Sequence, residues 1–184
     1  MRAGLRLRQV VNLANGSTLA GLGVAVLGRA RVARGPDGLF TGTGYRLPVP
    51  PAPAFCLGNV IVTRLDGLTP GSALFRHEAR HASQYAWCGG VVMVPLYLAA
   101  AAASWALTGD FGSRNVFERR AGLADGGYTD KPLRPGLRRA VARSGAFRPG
   151  SRLTGSGPRA CAPGRILPAR ASAARDGSSA SPSR

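Results

Sequence analysis

The residues with the clearest chemical potential in this chain are His77 and His81, which enclose Glu78 in the motif His-Glu-x-x-His. On a helix, side chains four residues apart lie on one face, one turn apart. Two imidazoles so placed can bind the same metal ion, with the glutamate beside them as general base. The chain has no other histidine, and Glu118 is its only other glutamate. We therefore predict His77, His81 and Glu118 as ligands of a Zn²⁺ cofactor and Glu78 as the catalytic base.

Two histidines and a glutamate form a ligand set that catalytic zinc takes while it keeps one position for water. Zinc lowers the pKa of that water, and Glu78 would take its proton as the water attacks a carbonyl. The glutamate has a plainer alternative, because Glu118 could pair with Arg114 four residues earlier. In that case Asp110 or Asp125 is the rival third ligand.

Further side chains are candidates to support these four residues. Gln84 continues the helix face of the histidines, and Asn115 lies close to Glu118 in the chain. Either amide could orient a ligand by a hydrogen bond, although Gln84 could also be an ordinary polar residue of its helix. Hydrolysis further needs a group that stabilises an oxyanion. Tyr128 and Arg80 are the candidates for that role, and neither has a spacing argument.

The elements that must position the ligands are three helices. Thr69-Pro70 combines a capping hydroxyl with proline at the first helical position, which is typical of a helix start. Gly89-Gly90 is typical of a helix end. The predicted helices therefore cover residues 70–87, the uncharged segment 91–107 and residues 114–124.

Helix lengths indicate that Glu118 can reach the histidines. If the helices run up, down and up at 1.5 Å per residue, Glu118 returns to within about 6 Å of the height of His77 and His81. A straight membrane crossing by residues 91–107 would put His77 and Glu118 on opposite sides instead. The crossing and the three-ligand site therefore exclude each other, and we expect this helix to be a buried or membrane-resting hairpin arm.

The rest of the chain divides into a leading segment, residues 1–38, a metal-binding domain, residues 39–128, and a tail, residues 129–184. Within the first, residues 10–27 are apolar but interrupted by polar residues, and we predict an interfacial or core helix rather than a span. Residues 39–47 and 55–64 are predicted strands. The edge of the second strand, at Val60 to Arg64, is expected to hold a peptide substrate.

The amino-acid composition is more informative about the tail than about the predicted metal site. The formal net charge is +17, and the charge excess is greatest in residues 129–184, which are rich in Pro, Gly, Ser, Ala and Arg. We predict that this tail is disordered. Its basic residues lack interleaved aromatics, so we expect no specific nucleic-acid partner. The three cysteines, Cys56, Cys88 and Cys161, have no paired spacing and are expected to be buried free thiols.

The motif HExxHxxQ from His77 to Gln84, a preceding strand and the stretch from Asn115 to Ala121 resemble the gluzincin class of zinc metallopeptidases. More narrowly, they are similar to small uncharacterised bacterial domains with a metallopeptidase-like core. The resemblance covers about residues 40–128. It implies a mainly α fold with a short β element, a zincin-like helical core, and peptide-bond hydrolysis. This chain departs from the class in its small size and in lacking a second lobe and a further histidine.

The expected function is therefore a zinc-dependent hydrolase with a peptide substrate. The alternatives are a catalytically silent metal-binding protein and a small membrane-associated protein that contacts a membrane surface. We expect a cytoplasmic or membrane-associated location in a bacterial cell, and no oligomeric state is predicted.

Overall fold

The computed structural model describes residues 2–143. Within them, the mainly α fold with a short β element is confirmed. The helices are α1 (Arg2–Ala14), α2 (Ser17–Leu27), α3 (Ala73–Trp87), α4 (Met93–Thr108), α5 (Val116–Ala121) and α6 (Pro135–Arg143). The strands are β1 (Arg31–Arg34), β2 (Phe40–Thr43), β3 (Ala54–Leu57) and β4 (Val60–Thr63).

The four strands form one mixed sheet in the order β1-β2-β4-β3, in which β2 and β4 are parallel and the other pairs antiparallel. The single strand predicted over 55–64 is wrong, because the chain turns back at Gly58-Asn59 to form the β3–β4 hairpin. Gly58 has a φ of 62°. A glycine with positive φ at the first central position allows a two-residue hairpin turn.

Because the hairpin folds back, β4 lies inside the sheet between β2 and β3. Both of its edges are therefore paired, and the predicted substrate edge at Val60 to Arg64 is wrong. Among the described residues, β3 pairs only with β4 and is an edge strand. A strand with one unpaired edge can accept a further strand, so β3 takes the place that the sequence suggested for β4.

Side-chain alternation along β4 builds the two halves of the core. Ile61 points to one face, where it packs with Phe75 and Ala82 of α3. Val60 and Val62 point to the other face, where they pack with Ala25 of α2. Successive side chains of a strand alternate between faces, so the sheet is covered by α3 on one side and by α2 on the other.

The N-terminal helices are part of this packing. The predicted helical stretch over 10–27 is interrupted at Gly16, which has a φ of 76°, and α1 and α2 are bent by 71° relative to each other. Asn12 of α1 is fully buried and donates hydrogen bonds to the Ala82 carbonyl at 2.8 Å and to Asn59 Oδ1 at 3.0 Å. One side chain thus ties α1 to both α3 and the hairpin. Strand β1 lies before residue 38 and strand β2 lies after it, and the two strands pair. The sheet therefore includes residues of both the leading segment and the predicted metal-binding domain.

The helices that carry the predicted ligands differ from expectation mainly at their ends. Helix α3 begins three residues later than predicted, because Ser72 rather than Thr69 is the cap and accepts a hydrogen bond from the Phe75 amide at 3.2 Å. Its predicted end is confirmed, and Gly89 follows with a φ of 75°. Helix α4 matches its predicted segment closely, whereas α5 spans only Val116–Ala121 rather than 114–124.

Among the described residues, the helical segment Gly90–Thr108 is long enough and apolar enough to cross a membrane. The core helix of a soluble protein can have the same length and composition. The structure does not have the straight crossing that would separate His77 from Glu118. Their side chains are only 3.0 Å apart at His77 Nε2 and Glu118 Oε2.

Two predictions concern the tail and the cysteines. Within the predicted tail, Pro135–Arg143 form α6, and residues 144–184 lie outside the described residues. Cys56 is a buried free thiol as expected, while Cys88 is free but only half-buried. Cys161 also lies outside the described residues.

We expect Asn12→Ala to lower the free energy of unfolding by about 2 kcal/mol, because the buried Ala82 carbonyl and Asn59 amide lose their partner. Urea denaturation followed by circular dichroism measures the loss. The matched control is Leu13→Ala on the same helix, where the side chain is exposed and the change should stay within about 0.5 kcal/mol. Equal losses in the two variants would show that α1 does not depend on this contact.

Candidate metal centre

The two histidines form the first half of a buried cluster. Both lie on the inner face of α3, and His77 and His81 are 2% and 6% exposed. Their Nε2 atoms are 3.1 Å apart, as the four-residue spacing on a helix predicts. The side chains that the motif singled out therefore point to one place.

Glu118 completes the cluster from α5. Its Oε2 lies 3.0 Å from His77 Nε2, and its Oε1 lies 3.7 Å from His81 Nε2. One ligand atom from each of the three residues lies within 4.8 Å of the others, so the group could hold a metal ion. The alternative pairing of Glu118 with Arg114 is absent among the described residues, and Arg114 instead lies 3.7 Å from Asp130.

The start of α5 fixes the position of Glu118 through the backbone. Asn115 is fully buried, and its Oδ1 caps the helix by accepting a hydrogen bond from the Phe117 amide at 3.0 Å. It makes no direct hydrogen bond to the Glu118 carboxylate in the described structure. Asn115 thus acts on Glu118 by holding the first turn of its helix, rather than by the side-chain contact that the sequence suggested.

Hydrogen bonds on the far side of each imidazole set its orientation. His77 Nδ1 is 3.1 Å from the Gly122 carbonyl, and His81 Nδ1 is 2.8 Å from Gln84 Oε1. Both partners are oxygen acceptors, so the ring protons belong on Nδ1 and the Nε2 lone pairs face the cluster. Gln84 Nε2 in turn donates to the Phe117 carbonyl at 2.9 Å, which joins α3 to the residue before Glu118.

The donor atoms fit a metal ion better than they fit one another. Two Nε2 lone pairs and a carboxylate oxygen converge at 3.0 to 3.7 Å. Ligands about 2.0–2.1 Å from a tetrahedral zinc would lie about 3.3 Å apart, so these separations match. Glu118 Oε2 is buried and accepts no hydrogen bond from any described residue, since the His77 proton is engaged at Nδ1.

Electrostatics in the cluster favour a positive charge between the three side chains. Burial opposes ionisation of Glu118, but its close contacts with His77, His81 and Tyr97 outweigh burial and lower its pKa to about 2. Burial likewise tends to lower the pKa of His77, yet Glu118 and Glu78 raise it overall. A carboxylate that stays ionised beside two imidazoles attracts a cation, either a proton or a metal ion.

Glu78 is the acid closest in sequence to the ligands, and it is not itself one of the converging three. Its side chain is buried, and Oε2 accepts no hydrogen bond within residues 2–143. Burial raises the pKa of Glu78 to about 7, although His81 and His77 oppose the change. A carboxyl group with a pKa in this range can both accept and return a proton near neutral pH.

The structure excludes three of the weaker sequence candidates from the cluster. Asp125 accepts hydrogen bonds from Arg76 and Arg80 at the surface, and it holds the Arg80 guanidinium 2.7 Å from its Oδ2. Asp110 instead caps the loop before α5, where its Oδ1 accepts from the Ser113 amide at 2.9 Å. Arg80 does not line the cavity beside the metal cluster, whereas Tyr128 does.

Two contacts of the cluster were missed in the sequence. Tyr97 of α4 donates a hydrogen bond to Glu118 Oε1. Gly126 lies so close to His77 that a Cβ there would be 2.5 Å from the imidazole Cε1. Tyr97 has a hydroxyl group and lies in an uncharged helix that the sequence predicts to pack beside the site. Its hydroxyl could therefore have indicated a contact with the ligands. Gly126 had none, because its importance depends on the path of the loop after α5.

A cavity of about 260 Å³ adjoins the cluster. The polar part of its wall comes from the three predicted ligands, from Glu78 and from three tyrosines, Tyr85, Tyr97 and Tyr128. The remainder is mainly apolar and comes from β3 and the first half of α4, including Phe55, Met93 and Leu98. The predicted ligands and base are thus accessible from one space that has room for part of a substrate.

Comparison of the chain with protein-family models, with curated proteins and with solved structures gives no match. What the site can do is therefore argued from its own geometry.

We expect the purified protein to bind one divalent transition-metal ion per chain, measured by elemental analysis after gel filtration. His81→Ala and Glu118→Ala should each reduce bound metal to a small fraction, because a catalytic-type site has only three protein ligands. Asp66→Ala, which removes an exposed carboxylate, is the control and should keep the metal. Full retention after Glu118→Ala would contradict the three-ligand cluster.

Gln84→Ala should weaken metal binding by about 10- to 100-fold, because His81 loses the acceptor that fixes its ring proton. Competition with a chromogenic chelator measures the affinity. Ser83→Ala is the matched control, since the Ser83 hydroxyl bonds only within its own helix among the described residues, at 3.4 Å from the Ala79 carbonyl. An unchanged affinity in Gln84→Ala would show that this contact does not orient the ligand.

Proposed function

We propose that this protein is a zinc-dependent hydrolase that cleaves peptide bonds. The observation that carries the proposal is the shared cavity, in which the His77, His81 and Glu118 donor atoms lie beside the buried Glu78 carboxylate. A structural metal site is usually closed by four protein ligands, whereas three ligands beside a cavity are typical of a catalytic site.

The donor set supports zinc as the metal. Two neutral imidazoles and one carboxylate suit several transition metals, but zinc is the one that takes His₂Glu sets in hydrolases. When bound by these residues, zinc would activate a water molecule and polarise the carbonyl of a substrate. The hydrogen bonds at Gly122 and Gln84 keep both Nε2 atoms free to bind it.

Glu78 is the residue that would move the proton. Its Oε2 accepts a proton from the water that attacks the peptide carbonyl, and it then delivers that proton to the leaving amine nitrogen. Its burial in an apolar wall favours this exchange, because the protonated and ionised forms become closer in free energy. Tyr128 lines the same cavity and is the candidate donor to the oxygen that becomes negative.

The surroundings of the cavity support an extended peptide as the substrate. Strand β3 contributes Ala54, Phe55, Cys56 and Leu57 to the wall, and it is an edge strand in the described sheet. An extended peptide can add to such an edge through main-chain hydrogen bonds. A peptide bound in this way would have a carbonyl near the predicted ligands and a side chain against the apolar wall.

A catalytically silent metal-binding protein is the second candidate function, and it is favoured because the cavity lining has no third histidine that could stabilise an oxyanion. The two candidates share the metal and differ at Glu78. In a silent site the carboxylate would have no proton to move, so its replacement by an amide of the same shape would change nothing that can be measured as turnover.

We expect Glu78→Gln to lower the rate of peptide hydrolysis by about 10²- to 10⁴-fold while it retains metal, because only the proton acceptor is removed. Cleavage of a fluorescence-quenched peptide library and elemental analysis measure the two effects. Asp66→Asn is the matched acid-to-amide control at an exposed position. Zinc-loaded wild type without turnover would favour the silent site, and undiminished turnover in Glu78→Gln would exclude this residue as the base.

A further inference from the structure

Helix α4 is apolar on all sides but buried along only one narrow stripe. Residues 91–107 carry no charge, and only 22% of the membrane-length window in this segment is buried. The buried positions are Met93, Ala101 and Ser104. A helix that is hydrophobic all round normally has its whole circumference covered. The large apolar side chains that α4 leaves exposed are Val94, Leu96, Leu98, Trp105 and Leu107.

The N-terminal helices have the reverse of the polarity expected in water. Asn12, Ser17 and Thr18 are buried at 0 to 3% exposure. The exposed side chains of the same two helices include Leu7, Val10, Leu13, Leu19, Val26 and Leu27. Large apolar side chains that are grouped on an exposed surface mark an interaction site. These helices therefore bury several polar side chains and leave several large apolar side chains exposed.

The two apolar surfaces meet where the α1–α2 junction contacts the segment before α4. Asn15 lies so close to Gly90 that a Cβ on Gly90 would come within 2.6 Å of the Asn15 side chain. We call the exposed apolar residues of α1, α2 and α4 the apolar face. None of the predicted metal ligands belongs to these three helices.

Aromatic and basic residues border the apolar face at the end of α4. Trp105 is exposed, stacks on Phe111, and has the Arg134 guanidinium 4.9 Å above its ring. The segment 131–143, which begins beside this end, has five basic residues and no acid. Trp87, at the end of α3, is 88% exposed just before the other end of α4. Tryptophan and a basic cluster next to an apolar helix are typical of a boundary between lipid and water.

Chemistry favours a bilayer over the other occupants. Residues 144–184 contain only four large apolar residues, Phe147, Leu153, Ile166 and Leu167, too few to cover this surface. A second copy would bring two strongly basic chains together, each with a formal charge of +17. An anionic membrane instead complements that charge and covers apolar side chains of any arrangement.

We propose that the apolar face binds an anionic lipid bilayer and that the metal-site cavity takes its substrate from that bilayer. Val94 and Leu98 connect the two parts, because both are exposed on α4 and both line the cavity. A substrate that enters beside them leaves an apolar environment and meets an apolar wall. The substrate class is then a membrane-embedded or membrane-adsorbed peptide segment, and this second part rests on the proposed hydrolase function.

Flotation of the full chain with phosphatidylcholine vesicles, with and without about 30% phosphatidylglycerol, tests the lipid surface. We expect binding that is strongest with the anionic lipid. Ala102→Glu, which puts a charge on an exposed position of α4, should weaken it at least tenfold. Ala33→Glu, the same change at an exposed position of β1, should bind like wild type. Equal binding by the two variants overturns the assignment to α4.

Intrinsic fluorescence locates the contact, because the chain has two tryptophans, Trp87 and Trp105, near opposite ends of α4. Brominated lipids should quench the remaining tryptophan in both Trp87→Phe and Trp105→Phe. Absence of quenching in both overturns the proposal. So does a wild-type dimer in sedimentation that Ala102→Glu converts to a monomer without any flotation, since a second copy would then cover the face.

The source of the substrate is tested with one peptide, presented free in solution or anchored to vesicles by an acyl chain. Wild type should cleave the anchored form at least tenfold faster, and Ala102→Glu should lose that preference while it still cleaves the soluble form. Equal rates in wild type overturn access from the bilayer. Vesicle binding with no turnover on either form overturns the hydrolase and supports the lipid surface alone.

Discussion

The structure of the site depends on one electrostatic constraint: three electron-pair donors are held within hydrogen-bonding distance of one another in a buried place. His77 Nε2, His81 Nε2 and the Glu118 carboxylate would repel each other unless a positive charge lay between them. A proton satisfies one pair of these atoms at a time, whereas a metal ion satisfies all three. The constraint therefore links the stability of the site to its occupancy, and it makes metal binding a stabilising event for the folded state.

The surrounding elements can be understood as the means of keeping those donors in place. Ser72 and Asn115 cap the two helices that carry them, and each cap satisfies an amide that would otherwise lack a partner. Gln84 contacts His81 with its oxygen and the Phe117 carbonyl with its nitrogen, so one amide couples α3 to α5. Tyr97 adds α4 to the same network by its hydrogen bond to Glu118. Ligands held in this way lose little entropy when they bind.

The sequence allowed the pairing of the histidines and the return of Glu118 to be predicted, because both follow from fixed helical geometry. A four-residue spacing and a rise of 1.5 Å per residue leave few alternatives. The features that could not be predicted depend on the positions of tight turns and on the path of loops between the helices and the sheet. The sequence predicts one strand over 55–64 and so misses the two-residue turn at Gly58-Asn59. It therefore assigns the exposed edge of the sheet to β4, whereas the structure has it at β3. Likewise Gly122 and Gly126 contact His77 only because of the loop that follows α5.

The polarity of the N-terminal helices is the point at which sequence reasoning and structure differ most usefully. Asn12 and Asn15 interrupt the apolar stretch 10–27, so the sequence predicts an interfacial or core helix there rather than a membrane span. In the folded chain Asn12 turns inward, where Ala82 and Asn59 accept hydrogen bonds from its amide nitrogen, and the neighbouring Leu13 and Val10 are exposed. Polar residues in an apolar segment therefore do not argue against lipid contact when the interior can pair them. Because the same interior anchors α3, the buried asparagine connects the outward apolar surface to the helix that carries both histidines.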